Sequence, residues 1–326
     1  MRCRFIVGCG YVGLRIANLW RRQGDTVYAV TRSRSRTLEL RDVGILPIVW
    51  NWLEGGSPVE SNELKALRNQ FVPSQIAPSQ IAPSQIAPSL DTILVAVPHS
   101  PQPNVASNET HTRGLDNLVK LFEAIGFDAS HAKWIYLSTT GVFGPSSPGE
   151  WVDEDSLAAP ERPGSIAALA GEKWIASPAS DRELVVLRPA GIYGPGRVPN
   201  WQAVRDGLPL QVNPESYLNL IHVDDLTTTI GAVSDSRMQY HLYCISDGVP
   251  VRRREYYKYI SEIGNLPEPV FDTFGTSSFN RTTARSDGNK RVRNNRIQNE
   301  LAIRLQYPTY REGLRSLLVK TGDYQA

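Results

Sequence analysis

The chain has 326 residues, of which 41% are apolar and 21% charged, and its formal net charge is +2. That length suits roughly two domains, or one large α/β domain with an appendage, and the composition is that of a globular protein with ample core. The near-neutral balance excludes a general electrostatic pull toward nucleic acid or membrane, and no apolar run approaches a membrane span. Three scattered cysteines (Cys3, Cys9, Cys244) and five histidines without ligand spacing suggest neither a disulfide framework nor a metal site.

The first predicted element is a short apolar strand from Cys3 to Val7. It runs into Gly8-Cys9-Gly10-Tyr11-Val12-Gly13, a G-x-G-x-x-G loop, and then into a helix over 14–23 that Gly24 ends. Each glycine has a physical role. Gly8 makes the tight turn, Gly10 lets backbone approach a pyrophosphate, and Gly13 lets helix pack on strand. The helix then directs free N–H groups and its positive end at the phosphates. Gly8, Gly10, Tyr11, Val12 and Gly13 are therefore candidate cofactor residues. Cys9 lies beside the helix N-terminus, where a thiolate would be stabilised, but packing is the preferred reading. With a strand already at residue 3, no signal segment is expected, and the cytoplasm is the default location.

Leu14, Ile16, Ala17, Leu19 and Trp20 form the apolar stripe of this helix. A second strand, Thr26 to Thr31, leads into Arg32-Ser33-Arg34-Ser35-Arg36. An acidic residue at this junction would bond the ribose 2′-hydroxyl of NAD. Thr31 and Arg32 suit a 2′-phosphate instead, so NADP is favoured over NAD. A helix, a strand over 45–50 and a helix over 62–71 follow. Residues 73–87 are three tandem copies of Pro-Ser-Gln-Ile-Ala, followed by Pro88-Ser89. Proline at every fifth position blocks helix and central strand alike, so the repeat is expected to be an inserted loop at the edge remote from ligands.

The strand over 91–97 is nearly all apolar, as expected of a parallel strand covered on both faces. Val97, at its end, is a candidate cofactor residue. His99, just beyond, faces substrate in one reading and is an ordinary loop histidine in the other, which is preferred. A helix over 112–125 and a strand over 133–137 follow, the strand ending in Ser138-Thr139-Thr140-Gly141. An irregular stretch, a helix over 165–177 and a strand over 183–189 come next. Pro189, ending that strand, is a further cofactor candidate. Strands alternating with helices define a doubly wound, Rossmann-type parallel sheet over 1–190. Residues 191–326 read as a smaller α+β substrate-binding part, with 219–246 returning to the main sheet.

Five motifs in order carry a resemblance: the loop Gly8–Gly13; Leu137-Ser138-Thr139-Thr140-Gly141-Val142-Phe143-Gly144; Leu187-Arg188-Pro189-Ala190-Gly191-Ile192-Tyr193-Gly194-Pro195; Ile221-His222-Val223-Asp224-Asp225; and a tail of Lys290 to Arg296 with Tyr307 to Leu314. The chain resembles the extended short-chain dehydrogenases/reductases of the NAD(P)-dependent epimerase/dehydratase type, and within them an atypical bacterial subgroup. The resemblance implies an NAD(P) site and a C-terminal part closing over an anionic small-molecule substrate, often a nucleotide sugar. A homodimer is compatible with it, and no nucleic-acid or membrane partner is implied. It also implies that Thr139 bonds the substrate oxygen, the alternative being a hydroxyl that satisfies local backbone.

Family members use a Tyr-x-x-x-Lys pair as proton carrier and ribose anchor. Register on Glu172 puts Gly164 and Ala168 at those places, so the pair is missing. Tyr193 is a substitute acid in one reading and a structural residue in the other. Asp224 and Asp225 are expected to cap the following helix rather than act as paired carboxylates. The basic segment from Arg281 to Arg296 is either a solvated face or a binder of substrate phosphates. Two functions follow: an NADP-linked oxidoreductase or epimerase, or a catalytically inactive NADP(H)-binding sensor or regulator.

Overall fold

The computed structural model describes residues 1–56, 89–145, 147–177, 183–272 and 289–318. The Pro-Ser-Gln-Ile-Ala repeat up to Pro88 and the helix expected over 62–71 lie outside these residues. In chain order the first elements are β1 (Cys3–Val7), α1 (Gly13–Arg22), β2 (Thr26–Thr31), α2 (Arg36–Asp42), β3 (Leu46–Val49), β4 (Thr92–Val95), α3 (Ser107–Ile125) and β5 (Lys133–Leu137). Then come β6 (Glu150–Val152), α4 (Pro163–Ile175), β7 (Leu184–Pro189), β8 (Gly191–Tyr193), α5 (Trp201–Arg205), β9 (Tyr217–Leu218), β10 (Leu220–His222) and α6 (Val223–Asp235). The last are β11 (Leu242–Ile245), β12 (Val251–Arg252), α7 (Arg253–Gly264), β13 (Lys290–Val292), α8 (Asn295–Leu301) and α9 (Tyr310–Leu318).

Seven strands form a parallel sheet in the order β11-β7-β5-β4-β1-β2-β3. From β1 the chain winds outward through β2 and β3, then returns to β4 on the other side of β1 and winds outward again. The order therefore reverses between β1 and β4, and in such sheets ligands bind beyond the strand carboxyl ends at that switch point. By internal contacts the chain divides into two units. One comprises Met1–Ser138, Pro163–Leu187 and Ile230–His241; the other comprises Thr139–Arg162, Arg188–Thr229 and Leu242–Ala326.

In the first unit, β1, β2, β4 and β5 are buried almost throughout, as their apolar runs require. Phe5, Phe122, Phe127, Tyr28 and Trp134 pack edge to face beneath α3. Ile16, Ala17 and Trp20 of α1 are buried; Leu14 and Leu19 are only half-buried, so the stripe is narrower than its pattern suggests. Arg4 is fully buried but not uncompensated. Its guanidinium meets Asp25 at 3.0 Å and Asp235 at 2.8 Å, and lies 5.0 Å from the Trp20 ring.

In the second unit, Tyr193, Trp201, Leu220, Tyr256, Tyr257, Ile260, Tyr310 and Leu314 gather into one core. Short ladders surround it: β8 with β10 and β6 with β13 are parallel, β9 with β12 antiparallel. Asp224 and Asp225 do not cap α6 as expected. They lie in its first turn, while His222 Nδ1 accepts the Asp224 N–H at 3.2 Å. The buried Asp225 carboxylate instead accepts the backbone N–H groups of Gln306 at 2.7 Å and Tyr307 at 2.9 Å. The Tyr307 ring stands 3.9 Å from that of His222. The two distant motifs thus form one latch.

Candidate functional site

The glycine loop joins β1 to α1, and each glycine is held to its type for a different reason. Gly8 has φ +95°, and a Cβ there would lie 2.4 Å from the Ala96 carbonyl oxygen and 2.9 Å from Val97 Cγ1. A Cβ on Gly13 would lie 2.3 Å from the Gly8 carbonyl oxygen. Both contacts are with protein, so these two glycines serve the fold: one passes beneath the loop after β4, the other brings α1 onto the turn. Gly10 differs. Its φ is not positive, and a Cβ there would meet no atom within 4 Å. The fold does not require a glycine at that position.

The Gly10 N–H donates to the Gly8 carbonyl at 2.8 Å, closing the turn, and the Leu14 N–H donates to the Gly10 carbonyl at 2.9 Å. Tyr11 and Val12 occupy the entry to α1, whose first-turn N–H groups face along the axis at the loop. Arg15 donates to the Tyr11 carbonyl at 2.8 Å and lies 4.2 Å from the Tyr11 ring, fixing that ring beside the loop. These residues fit the pyrophosphate of a dinucleotide. Cys9 is buried, and burial pushes its thiol up to about 11, so it packs as a thiol.

β2 ends at Thr31, whose buried hydroxyl oxygen accepts the Ser33 N–H at 3.3 Å. That bond turns the chain sharply and leaves Arg32 and Arg34 exposed just past the strand end. Two cations therefore stand exposed just past the end of β2. Val97 contacts the loop from the neighbouring strand, as its proximity to Gly8 shows.

α4 begins Pro163-Gly164, with proline at the first helical position. Glu172 on this helix is buried and accepts the hydroxyl of the buried Ser138, which fixes α4 to the end of β5. A Cβ on Gly171 would lie 2.3 Å from the Tyr136 hydroxyl, so that glycine admits the phenol. Gly164 and Ala168 carry no titratable group, and Lys173 is exposed, out of register with the absent lysine. A cavity of about 730 Å³ lies between α3 and α4, lined by Glu109, Lys173 and Trp174 among others. None of the candidate cofactor residues borders it.

Within the second unit, Thr139 is half-buried at the start of a short 3₁₀ turn, and its hydroxyl oxygen accepts the Gly141 N–H at 3.0 Å. The backbone-satisfying role is thus present; the hydroxyl proton remains for donation. Pro189 is buried at the end of β7. Tyr193 does not suit the acid role. It is 1% exposed, its hydroxyl reaches the Thr309 carbonyl at 3.5 Å, and Gly313 lies so close that a Cβ there would be 2.0 Å from that oxygen. Burial pushes its phenol far above the ordinary value. Tyr193 packs the core.

The described part of the basic segment is neither a free face nor an open cluster. Lys290 Nζ donates to the Gly144 carbonyl at 3.1 Å, and burial, with Arg162 nearby, lowers it to about 8. Arg291 donates to the Gly149 carbonyl at 2.7 Å and lies 4.6 Å from the Trp151 ring. Arg296 pairs with Asp155 through two contacts at 2.8 Å. Sequence reasoning missed Asp247. It is buried, its Oδ1 accepts the Val249 N–H at 3.0 Å, and burial raises its carboxyl to about 7. No local pattern marks it, because the apolar surroundings come from chain distant in sequence.

A strand–glycine loop–helix unit at the switch point of a doubly wound parallel sheet defines the dinucleotide-binding class of α/β proteins. The profile of the NAD dependent epimerase/dehydratase family matches residues 5–227, and the chain belongs to that family. Solved structures share the fold along its length. A functionally unknown conserved protein from Silicibacter pomeroyi is 26% identical, with 99% of this chain and 100% of that one covered at a TM-score of 0.69. The UDP-N-acetylglucosamine 4-epimerase of Bacillus cereus is 14% identical (100% and 98% covered, TM-score 0.66). The Bordetella bronchiseptica enzyme WbmG, solved with NAD and UDP, is 15% identical (98% and 94% covered, TM-score 0.67). A search of curated proteins found no significant match.

Proposed function

We propose that the protein is an NADP-linked oxidoreductase or epimerase acting on a nucleotide sugar or another phosphorylated small molecule. The observation that carries the dinucleotide part is Gly10, a glycine that nothing in the protein requires and that leaves open space beside the end of α1. Gly8, Tyr11, Val12, Gly13 and Val97 hold the pyrophosphate side, and Thr31 and Arg32 take the 2′-phosphate. Pro189 completes the set and Thr139 donates to the substrate oxygen. A bound dinucleotide supplies a two-electron hydride acceptor or donor. The substrate class rests on the family and on neighbours solved with nucleotide sugars. Residues 191–326 are the smaller substrate-binding part, with 219–246 returning to the main sheet, and the cytoplasm is the working compartment; among the described residues no helix is long and apolar enough to cross a membrane.

Calorimetric titration with NADPH and NADH side by side tests this reading. Tighter binding of NADPH is expected, and binding of neither would overturn it. The absence of a titratable side chain at Gly164 and Ala168 favours a second reading, a dinucleotide-binding sensor or regulator. Tight binding without turnover across a broad panel of nucleotide sugars would select it.

A further inference from the structure

We propose that His99 is the acid–base residue of this site, a role that rests on the dinucleotide reading above. His99 lies in the loop that leaves β4, on the β4 side of the switch point, two residues beyond Val97. The same loop, at Ala96 and Val97, packs directly on Gly8. His99 thereby belongs to a loop at the carboxyl edge of the sheet, the edge at which ligands of this architecture bind.

The ring is held and its tautomer set. Thr110, in the first turn of α3, donates its one hydroxyl proton to the Ser107 carbonyl at 2.8 Å. Its oxygen is then an acceptor for His99 Nδ1, 3.3 Å away. Nδ1 carries the hydrogen and Nε2 the lone pair, the form that can take a proton. Gly164 of α4 packs beside the ring: a Cβ there would lie 3.3 Å from His99 Cβ and 3.7 Å from the ring atoms Cγ and Cδ2. A side chain at that position would occupy the space over the imidazole.

The groups packed around His99 do not compete for its role. From α3 the titratable neighbour is His111, its ring 6.4 Å away; burial, with His99 adding to it, lowers His111 to about 4 and keeps it neutral. Behind His111 stands Tyr136 of β5, 2.5 Å from His111 Nδ1, its phenol pushed far up by burial. From α4 the contact is Gly164, which is uncharged. Partial burial lowers the pKa of His99 itself.

In alcohol oxidation, Nε2 takes the proton of the substrate hydroxyl. The O–H bond breaks, an N–H bond forms and the imidazole becomes imidazolium; the C–H bond of the same carbon would break as its hydride, with two electrons, passed to a bound oxidised dinucleotide, leaving a C=O bond. In the reverse direction the imidazolium returns the proton to the carbonyl oxygen.

The test is an NMR pH titration of the full chain with labelled histidine, alone and saturated with NADP⁺ or NADPH; His99→Gln assigns the His99 signals. The expected result is an Nδ1–H tautomer and a His99 pKa lower with NADP⁺ than with NADPH, because the oxidised nicotinamide is a cation and disfavours the imidazolium. Calorimetry in buffers of different ionisation enthalpy at about pH 6 gives an independent readout. NADP⁺ binding should release more protons than NADPH binding, and His99→Gln should abolish the difference. Equal His99 pKa values in two saturated complexes would overturn the proposal while leaving dinucleotide binding intact. If neither dinucleotide moves the Gly10 amide signal, the dinucleotide reading fails and His99 with it.

Discussion

Gly8→Ala and Gly10→Ala separate what the glycine loop does for the fold from what it does for a ligand. At Gly8 the positive φ alone costs an alanine roughly 1–2 kcal/mol. The Cβ would also sit 2.4 Å from the Ala96 carbonyl oxygen, a backbone atom that cannot swing aside, and overpacking of that kind costs roughly 1–3 kcal/mol. Together these predict a loss of about 2–5 kcal/mol, with melting falling about 2–4 °C per kcal/mol. At Gly10 there is neither a positive φ nor a protein atom within 4 Å. Alanine there should leave melting unchanged or raise stability by about 0.4–1 kcal/mol, by restricting the unfolded chain. The same methyl group projects into the space left for the pyrophosphate, so NADPH affinity should fall at least about tenfold, or about 1.4 kcal/mol. Thermal melts and calorimetric titration of both variants give the two numbers. Undiminished NADPH binding by Gly10→Ala, or a melting loss in it as large as in Gly8→Ala, would refute the division of labour.

Arg32→Asp should move the NADPH:NADH affinity ratio toward NADH by roughly tenfold or more, since a hydrogen bond to a charged group is worth about 1.5–3 kcal/mol; an unchanged ratio would remove the 2′-phosphate role. Asp225→Ala should free the Gln306 and Tyr307 amides, costing about 2–5 kcal/mol and exposing the chain near Tyr307 to limited proteolysis; a wild-type cleavage pattern would argue against the latch. Asp247 gives a pH signature. Its folded value of about 7 lies above the unfolded value of 3.8, so between those values the folded state holds the extra proton, and stability falls as pH rises through that window. Asp247→Asn, which keeps the acceptor for Val249, should therefore gain more in melting temperature over wild type at about pH 8 than at about pH 4. An equal gain at both would mean that the fold does not raise the Asp247 carboxyl above its unfolded value.

Much of the first unit was legible because its signals are local. β2 and β5 fall on their predicted residues, since β-branched and aromatic runs bounded by polar residues mark a buried parallel strand. The helix expected from Thr112 begins at Ser107: Ser107, Asn108, Glu109, Thr110 and His111 look like loop, but Thr110 and His111 are buried against other elements. The glycine loop was readable because its three glycines and flanking elements lie within a dozen residues. Tyr193 and the Asp pair were not, because their partners, Gly313, Thr309, Gln306 and Tyr307, lie some eighty or more positions away.

The sequence by itself determined the sheet class, the loop and the cation that follows β2, since each depends on residue type and short spacing. Only the tertiary structure decided which glycines the fold requires and which it does not, because that depends on the atoms a missing Cβ would meet. It likewise turned His99 from a loop histidine into a candidate: the hydroxyl that sets its tautomer and the glycine that packs beside its ring come from two helices, α3 and α4, and only folding brings them to the end of β4.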